Sequence, residues 1–431
     1  MAERATVRDV LSGRHTGHEV QLHGWIHRTR SSGGLVFVVL RDATGTVQVT
    51  AKKGVVPESG FADAERALVE SAVKIGGTVH ADPRAPGGVE VRASSFQVVS
   101  FAEVFPIKEG AGEEFLLDMR HLWIRSTKMA PVWRVRHTVV GAIHEYFRGA
   151  GFLQMDPPIL TPRGSEGGST VFELDYFGRK VYLTQSWQLY AEAFALAMEK
   201  VYCVAPSFRA EKSRTVRHLT EYWHAEMEVA WEGLDSVIAH GERLIGHVCA
   251  RVVEHNAADL EALGRNVEEL RAVKPPFPRM TYTEVIDELH RRGSAIEWGK
   301  DLRTEEEREI AKGRAMPLMI TNYPRVSQAF YKAVDPSDPK VVLNFDCIGP
   351  NGMELIGGSE RELGLENLRE GMRLMGEDPA EYEWYLDSRR YGNVQHAGFG
   401  LGVERLVQWV CGLEHIRDAV PFPRTPGRYS P

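Results

Sequence analysis

The chain has 431 residues, of which 26% are charged, and a formal net charge of −7 at pH 7. Its length predicts two or three domains, and a composition near the globular average excludes collagen-like, low-complexity and disordered chains. It contains no apolar run of about 18 residues, so we expect no membrane-spanning helix. Because the four cysteines lie far apart without a CxxC pair, neither a zinc knuckle nor a disulfide framework is indicated. The first residues, MAERATVRDV, lack an apolar leader, and we therefore expect a cytoplasmic protein.

Residues 18–100 contain short runs in which apolar and polar residues alternate. The runs that predict strands are HEVQLHGWIHRTR, GGLVFVVLRD, GTVQVTAKK, VKIGGTVHAD and GGVEVRASSFQVV, and a helical spacing at 62–73 separates the third run from the fourth. Five strands with one helix after the third are typical of an OB-type β-barrel. We place this domain at 1–102 and a connector that contains Pro and Gly at 103–120. The first hundred residues hold 12 Lys and Arg against 10 Asp and Glu, whereas the rest is acidic, which favours nucleic-acid contact in this domain.

Residues 121–431 mix helices and strands. The pattern predicts a long helix at 131–151, a strand at GFLQMDPPIL, helices over 232–275, strands at LMITNYP, VVLNFDCIG and MELIGGSE, and helices at 360–385 and 403–414. Strands outnumber helical crossovers, so we expect an antiparallel sheet flanked by helices rather than a doubly wound parallel sheet. The predicted fold class is α+β.

Several motifs are absent. The sequence has no GxxxxGK[ST] loop, GxGxxG, HExxH or GxSxG, which argues against a P-loop, a dinucleotide site, a zincin and an α/β-hydrolase. What remains is a set of arginines and carboxylates in three unusual segments.

The first segment is a predicted hairpin with a cationic tip. FRAE ends one strand-like piece, HLTEY begins the next, and the loop between them carries Lys212, Arg214 and Arg217. Such a tip attracts an anion, for example a polyphosphate or an RNA end. A solvated turn is the alternative for this segment taken by itself.

The second segment, HAGFGLGVERL, places alternate glycines in a strand and Arg405 in the first turn of the next helix. Glycines allow a close approach to the backbone, and the helix dipole disfavours a cation at that position, so an anionic or π-faced ligand is indicated. A strand packed tightly under a helix is the alternative. In the third segment, Asp346 and Glu354 are candidate ligands for a Mg²⁺ that bridges phosphates.

Together these segments resemble a known family. GFLQMDPPIL resembles motif 1 of the class II aminoacyl-tRNA synthetases, FRAE…RHLTEY resembles motif 2, and GFGLGVERL resembles motif 3. With the OB-type domain, the chain is similar to subclass IIb, which contains the aspartyl, asparaginyl and lysyl enzymes. The resemblance covers nearly the whole chain. It implies a homodimer that joins an amino acid to ATP with the help of Mg²⁺, releases pyrophosphate, and passes the aminoacyl group to the 3′ end of tRNA.

The resemblance also assigns the nucleotide site. It implies that Arg209 contacts the α-phosphate and the substrate carboxylate, and that Tyr222 and Arg405 enclose the adenine, whose edge Glu211 holds. Arg209 and Arg405 are thereby the catalytic cations. The remaining implied residues are Arg217 and His218 near the distal phosphates, Gly402 beside the nucleotide, and Asp346 and Glu354 at the metal. The spacing of Asp346 and Glu354 is one residue longer than in the aspartyl enzymes.

For the amino acid, the resemblance implies that a loop with Ser165 and Glu166 closes over the substrate. Gln188 and Glu192 are four residues apart and share one helical face, and Ala191 stands where the aspartyl enzymes have a lysine. Glu192 would accept from the amide of asparagine while Arg361 donates to its carbonyl oxygen, with Arg209 completing the set. Aspartate would instead meet a like charge. Trp187 departs from the small residue expected there.

In the OB-type domain, Phe37 and Gln48 match positions that read the middle anticodon base, by stacking and by an amide contact. Arg28 and Arg30 would hold phosphates. The alternative is that Phe37 is an ordinary core residue.

Three other functions stay open at this point. The chain resembles the asparaginyl branch most, but an aspartyl enzyme, strict or relaxed toward the tRNA for asparagine, is the nearest rival. The others are a synthetase-like asparagine synthetase and a non-catalytic RNA-binding paralogue.

Overall fold

The computed structural model describes residues 3–162, 164, 170–212 and 215–431. The chain divides into two compact units, Met1–Thr127 and Lys128–Pro431. Within the described residues, no helix combines the length and the apolarity needed to cross a bilayer.

The first unit is a closed β-barrel. Its strands are β1 (Glu3–Arg4), β2 (Glu19–Ser32), β3 (Leu35–Arg41), β4 (Thr46–Lys52), β5 (Ala72–Ala81) and β6 (Val89–Ser100), and its helices are α1 (Val7–Leu11), α2 (Glu58–Arg66), α3 (Glu113–Asp118) and α4 (Arg120–Trp123). The strand order is β1-β2-β3-β4-β6-β5, and β5 pairs back with β2. Alternate residues point inward, so that Val36, Val38 and Leu40 of β3 are buried. The predicted OB-type barrel is confirmed.

The helix predicted at 62–73 is shifted in the structure. Helix α2 begins directly after Pro57 and ends at Arg66, because Ala67 already has an extended backbone with ψ of 127°. Glu70, with φ of +69°, then turns the chain into β5. The apolar residues in the second half of 62–73 therefore belong to this turn and to the start of β5, and their side chains are not part of a helical face.

The second unit contains strands β7 to β17 and helices α5 to α13. The strands are β7 (Leu153–Gln154), β8 (Leu160–Thr161), β9 (Glu173–Tyr176), β10 (Arg179–Leu183), β11 (Lys200–Phe208), β12 (Glu221–Ala230), β13 (Arg279–Thr281), β14 (Leu318–Thr321), β15 (Asn344–Ile348), β16 (Glu354–Glu360) and β17 (His396–Gly402). The helices are α5 (Ala130–Gly149), α6 (Gln188–Met198), α7 (Leu234–Ala262), α8 (Val267–Arg271), α9 (Tyr282–Arg291), α10 (Thr304–Ala311), α11 (Leu365–Leu374), α12 (Glu383–Arg390) and α13 (Val403–Cys411).

The main sheet of this unit has the order β13-β14-β15-β16-β17-β12-β11-β7, and β8, β10 and β9 form a small second sheet. Strands β14 to β17, β12 and β11 pair antiparallel, as predicted, whereas β13 with β14 and β7 with β11 are parallel pairs at the two edges. The sheet is therefore mixed. Of the strand predicted at GFLQMDPPIL only its two ends are strands, since prolines 157 and 158 lie between them and cannot donate to a ladder.

The core of this unit lies between the sheet and helices α5 and α7. Val139 and Phe147 of α5 and Val248 of α7 pack in one cluster with Met227 of β12 and Phe399 of β17. Because side chains of a strand alternate between its faces, the neighbours of Met227 on β12 point away from this core. That opposite face carries the candidate site.

Candidate active site

Strand β12 presents a row of polar side chains on the face opposite the core. Positions two apart on a strand share a face, and the row consists of Tyr222, His224, Glu226 and Glu228. Glu226 and Glu228 are buried, and Glu228 is only 1% exposed. This row is the floor on which the other functional residues are arranged.

One end of the row opens into a cavity. The sequence-predicted residues in its lining are Arg209, Arg217, His218, Tyr222, Glu354, Gly402 and Arg405. Six residues that were not predicted also line it, namely Leu219, His224, Leu355, Gly400, Glu404 and Ile416. The structure thus brings together most of the predicted nucleotide site, with residues from both sides of the hairpin and from the third segment.

Arg405 is fixed by a carboxylate. It lies in the first turn of α13, and its Nη1 donates to Glu354 Oε2 at 2.9 Å and to the Glu354 carbonyl oxygen at 3.1 Å. Burial acts to raise the pKa of Glu354, but Arg405 and, more weakly, Arg209 hold it below its usual value. The carboxylate therefore stays charged and compensates a cation that the helix dipole disfavours.

Arg209 also lines this cavity. Its Nε donates to the hydroxyl of Tyr222 at 3.1 Å, and its Nη1 is 3.9 Å from Glu211 Oε1. Glu211 itself does not line this cavity; it lines a second one, formed with the last residues of the chain. The nucleotide residues predicted from the first segment are therefore divided between two adjoining cavities.

Asp346 and Glu354 aim their carboxylates at one confined place. A Cβ added to Gly357, which pairs with Asp346 across the strands, would lie 3.0 Å from Glu354 Oε1 and 3.3 Å from Asp346 Oδ1. Burial and the charge of Glu354 raise the pKa of Asp346 to about 8. Within the described part of the chain, no group of three or more His, Cys, Asp or Glu is placed to hold a metal. A pair of adjacent carboxylates fits a cation that keeps water or phosphate ligands, as Mg²⁺ does.

Two further predicted residues have protein partners. Arg217 donates to Glu307 on α10 and to the carbonyl oxygen of Gly352, and burial together with Glu354 raises the pKa of Glu307 to about 7. Burial, then Arg405, lowers the pKa of His218. Both side chains therefore lie beside the cavity, but Arg217 is turned toward a carboxylate of the protein.

The neighbouring His224 is neutral at physiological pH. Burial, then the charges of Arg209 and Arg405, lowers its pKa to about 3. A neutral imidazole in the same cavity as two guanidinium groups adds hydrogen-bonding capacity without adding charge.

At the other end of the polar row, Glu192 is surrounded by donors. Arg389 Nη2 donates to it at 2.5 Å, the hydroxyl of Tyr385 at 2.8 Å and Gln188 Nε2 at 3.1 Å, and His396 Nε2 lies at 3.1 Å. The Glu192 and Arg389 side chains have no exposed surface. Burial acts to raise the pKa of Glu192, but Arg389 and His396 outweigh it and lower that pKa.

This arrangement corrects one expectation. Glu192 does not stand as an unpaired like charge beside the small Ala191, since Arg389 contacts it directly. A carboxylate has about four acceptor positions, and the protein already fills them. For Glu192 to accept from a substrate amide, one of these donors would have to leave.

Arg361 is paired as well. Its Nε and Nη2 donate to the two carboxylate oxygens of Glu228 at 2.9 and 2.8 Å, and its Nη1 donates to Ser359 Oγ at 2.7 Å. A guanidinium has five N–H groups, so two of them have no partner among the residues that the structure describes. Arg361 can therefore donate to a substrate while it stays neutralised.

Of the other residues singled out in the sequence, some are not described by the structure and one, Trp187, is buried beside the site. Ser165, Glu166 and Arg214 lie outside the described residues. Trp187 is 2% exposed and packs in an apolar cluster beside the site, while its backbone N–H donates to Glu226 Oε2 at 3.1 Å. The large side chain thus fills core space.

In the first unit, the four residues predicted to contact tRNA share the outer face of the barrel. Arg30 lies opposite Phe37 in the β2–β3 pair. Arg28 lies opposite Val39 of β3, and Val39 in turn lies opposite Gln48 of β4. The Arg30 guanidinium is 4.8 Å from the centre of the Phe37 ring, and Gln48 Nε2 donates to Glu90 at 3.0 Å. Phe37 is not in the buried core of the barrel, so the alternative interpretation of it as a core residue is wrong.

These two sites can be set beside known proteins. The sequence profile of the family described as tRNA synthetases class II (D, K and N) matches residues 112–426, and that of the OB-fold nucleic acid binding domain matches residues 20–99. The chain belongs to the class II tRNA synthetases.

Individual relatives of this synthetase are similar over its whole length. An asparagine–tRNA ligase of Thermoplasma acidophilum is 44% identical over 99% of this chain and 100% of its own, and one of Thermococcus gammatolerans is 46% identical over 96% of each chain. The crystal structure of asparaginyl-tRNA synthetase from Pyrococcus horikoshii, complexed with asparaginyl-adenylate, covers 100% of both chains with a TM-score of 0.96 at 44% identity.

Several residues of the synthetase site were missed by the sequence analysis. The period-two pattern of β12 could have indicated His224, Glu226 and Glu228 once Tyr222 was placed on one face. No local signal indicates Arg389, because two arginines at the end of an amphipathic helix are typical of an exposed helix end.

We predict that Arg389→Met destabilises the synthetase strongly. The substitution leaves Glu192 buried without its main counter-charge, and breaking a buried pair in this way costs about 3–5 kcal/mol. The measurement is the midpoint of thermal unfolding of the full chain.

The matched control is Arg390→Met. Arg390 is the next residue and pairs with Glu383 and Asp387 on the exposed side of the same helix, so its loss should change the midpoint little. Equal midpoints for the two variants would contradict the importance of the buried pair.

Proposed function

We propose that the synthetase activates L-asparagine with ATP, releases pyrophosphate, and transfers the asparaginyl group to the 3′ end of tRNA. The observation that carries this proposal is the charge balance of the amino-acid pocket, where Arg361 and Arg389 are each paired with a buried carboxylate. A neutral amide leaves this balance intact, whereas the side chain of aspartate adds a negative charge to a buried place. The names of the full-length relatives support the same substrate.

In the first step two anions approach each other, because the carboxylate of the amino acid attacks the α-phosphate. Such a barrier is mainly electrostatic, and fixed cations lower it without a nucleophilic side chain. Arg209 and Arg405 both line one cavity and are the proposed catalytic cations. Tyr222 is uncharged, and its hydroxyl accepts a hydrogen bond from Arg209. It therefore positions Arg209 without neutralising it. This arrangement argues against a non-catalytic RNA-binding protein.

The ATP site is proposed to extend along the same cavity. Arg217 and His218 would face the distal phosphates, for which Arg217 must exchange Glu307 for phosphate oxygens. Glu211 would hold the adenine edge and Gly402 would lie beside the nucleotide. Tyr222 and Arg405 would enclose the ring.

Asp346 and Glu354 are the proposed ligands of Mg²⁺. Their two carboxylates converge above Gly357, where burial and the charge of Glu354 raise the pKa of Asp346. The ion would supply neutralisation of phosphate charge. The two carboxylates would hold it near Arg405, which already contacts Glu354.

For the substrate asparagine, Arg361 is proposed to donate its two remaining N–H groups to the side-chain carbonyl oxygen. Gln188 is fixed by Glu192, which accepts from Nε2, so that the amide oxygen of Gln188 is left to accept from the substrate. Ser165 and Glu166 are proposed to contact the substrate from the loop that contains them. Arg209 is proposed to contact the carboxylate of the substrate.

Three broader features belong to the same proposal. We propose domains at 1–102 and 121–431 joined by a connector at 103–120, a homodimer, and a location in the cytoplasm. The outer face of the barrel, with Arg28, Arg30, Phe37 and Gln48, is proposed to read the anticodon.

The proposed activation reaction is tested by asparagine-dependent exchange of pyrophosphate into ATP. Arg209→Ala and Arg405→Ala should each lower exchange by a factor of about 100 or more, since a fixed cation at a developing charge is worth roughly 2.7–4 kcal/mol. Unfolding midpoints check that both variants fold. Near-normal exchange by either variant would contradict the assigned roles.

The anticodon face is tested by comparing exchange with tRNA charging. Phe37→Ala and Gln48→Ala should weaken charging by about 1–3 kcal/mol for each lost stacking or base contact, while exchange without tRNA stays unchanged. If exchange falls equally, the first unit supports the fold and does not read the anticodon.

A further inference from the structure

Helix α10 lies beside the nucleotide cavity and holds one of its cations. Arg217 lines the cavity, and its Nη1 donates to Glu307 Oε2 at 2.5 Å and to Thr304 Oγ1 at 3.4 Å. Its Nη2 donates to the carbonyl oxygen of Gly352. These three acceptors are not part of the cavity lining. The fold thus occupies N–H groups with which Arg217 could otherwise bind a ligand in the cavity.

The pair formed by Arg217 and Glu307 is largely shielded from water. The two side chains are 6% and 13% exposed, and a charge-assisted hydrogen bond is stronger at such depth than at the surface. Burial and then the charge of Glu354 raise the pKa of Glu307, and Arg217 is the strongest of the charges that oppose this rise. A ligand that takes Arg217 away therefore leaves Glu307 without its main counter-charge.

Helix α10 is itself fixed in place beside the cavity. Gly352, with φ of +70°, ends the turn before β16, and a Cβ added to it would lie 2.5 Å from the Cα of Arg308 on α10. The turn and the helix are therefore in close backbone contact. Because Glu307 is carried by this packed helix, the partner that can move is the long side chain of Arg217.

A comparison with Arg405 shows what is different about Arg217. Arg405 donates to Glu354, which itself lines the cavity, so a phosphate can approach Arg405 without separating it from its partner. The carboxylate that holds Arg217 is outside the lining. An anion that uses the N–H groups of Arg217 has to displace Glu307, and the exchange of one anionic partner for another gives little net binding energy.

This exchange concerns only part of the nucleotide. The proposed function places the α-phosphate at Arg209 and the distal phosphates at Arg217. When the carboxylate of the amino acid forms its bond to the α-phosphorus, the bond from that phosphorus to the bridging oxygen breaks, and pyrophosphate leaves with the electron pair. The aminoacyl adenylate and AMP have no distal phosphates. A competition at Arg217 therefore acts on ATP and on pyrophosphate alone.

We propose that Glu307 competes with the distal phosphates for Arg217 and thereby weakens the binding of ATP and of pyrophosphate, but not of AMP. When pyrophosphate leaves, Glu307 pairs with Arg217 again, so the contact that opposes ATP binding also assists the release of the product. Glu307 acts through Arg217 and is a positioning residue. The inference rests on the proposed function, because it requires that Arg217 faces the distal phosphates.

The test compares Glu307→Gln with wild type in equilibrium binding of ATP, pyrophosphate and AMP, each with Mg²⁺ and without an amino acid. Glutamine keeps the size of the side chain and one acceptor, but it lacks the charge that holds Arg217. The dissociation constants of ATP and pyrophosphate should each fall about tenfold, as expected for one competing charge-assisted hydrogen bond, while that of AMP stays within about twofold. In asparagine-dependent exchange, the KM for pyrophosphate should fall accordingly.

The matched control is Glu309→Gln on the same helix. Glu309 is half-exposed and lies 3.7 Å from Arg292 and 4.0 Å from Lys312, so this variant should bind all three ligands as wild type does. Glu307→Asp keeps the charge but withdraws it from Arg217, and it should tighten ATP binding by less than Glu307→Gln. If unfolding midpoints show that Glu307→Gln does not fold, Glu307→Asp takes its place, and the absence of any tightening in it would count equally against the inference.

ATP binding that is unchanged or weaker in Glu307→Gln would overturn the inference, because Glu307 would then only support the cavity. AMP binding that tightens as much as ATP binding would overturn it as well, since the effect would not depend on the distal phosphates. If wild type itself shows no asparagine-dependent exchange, the proposed function fails instead, and the comparison of ATP with AMP still reports on Glu307.

Discussion

Two buried guanidinium–carboxylate pairs hold the amino-acid pocket together. The Glu192 and Arg389 side chains have no exposed surface, and those of Arg361 and Glu228 are 4% and 1% exposed. Charges at such depth persist only when each has a well-placed partner. The pairs therefore fix both the net charge of the pocket and the orientation of the side chains around it, including Gln188, and every proposed contact with the amino acid depends on them.

The glycine-rich strand β17 is shaped by the same row of polar side chains. A Cβ on Gly398 would collide with the Glu228 carboxylate, and one on Gly400 would lie 2.6 Å from His224 Nε2. At Gly402, in contrast, the nearest atoms belong to Arg405 at 3.5 Å. Two of the three alternate glycines thus give room to side chains of the protein itself, and the expectation that they serve a ligand applies at most to Gly402.

The sequence was informative wherever a pattern repeats along one element. Alternation predicted the barrel, and the motif-bearing residues that line the nucleotide cavity are close to one another in the hairpin or at a strand–helix junction. Contacts between distant residues could not be predicted in this way. Arg389 reaches Glu192 across 197 positions, and Arg217 meets Glu307 across 90, so their partners are set by how helices α6, α10 and α12 pack. The position of Glu192 was predicted, but its neutralisation was not.

The most direct test of the account is the ratio of kcat/KM for asparagine to that for aspartate in pyrophosphate exchange, measured for wild type and for Glu228→Gln. If the paired charges select a neutral side chain, wild type should favour asparagine by roughly 2–5 kcal/mol, the cost of an uncompensated buried charge. Glu228→Gln removes one negative charge and leaves Arg361 unneutralised, so the ratio should fall. Equal use of both amino acids by wild type, or a ratio that the substitution does not change, would contradict the account.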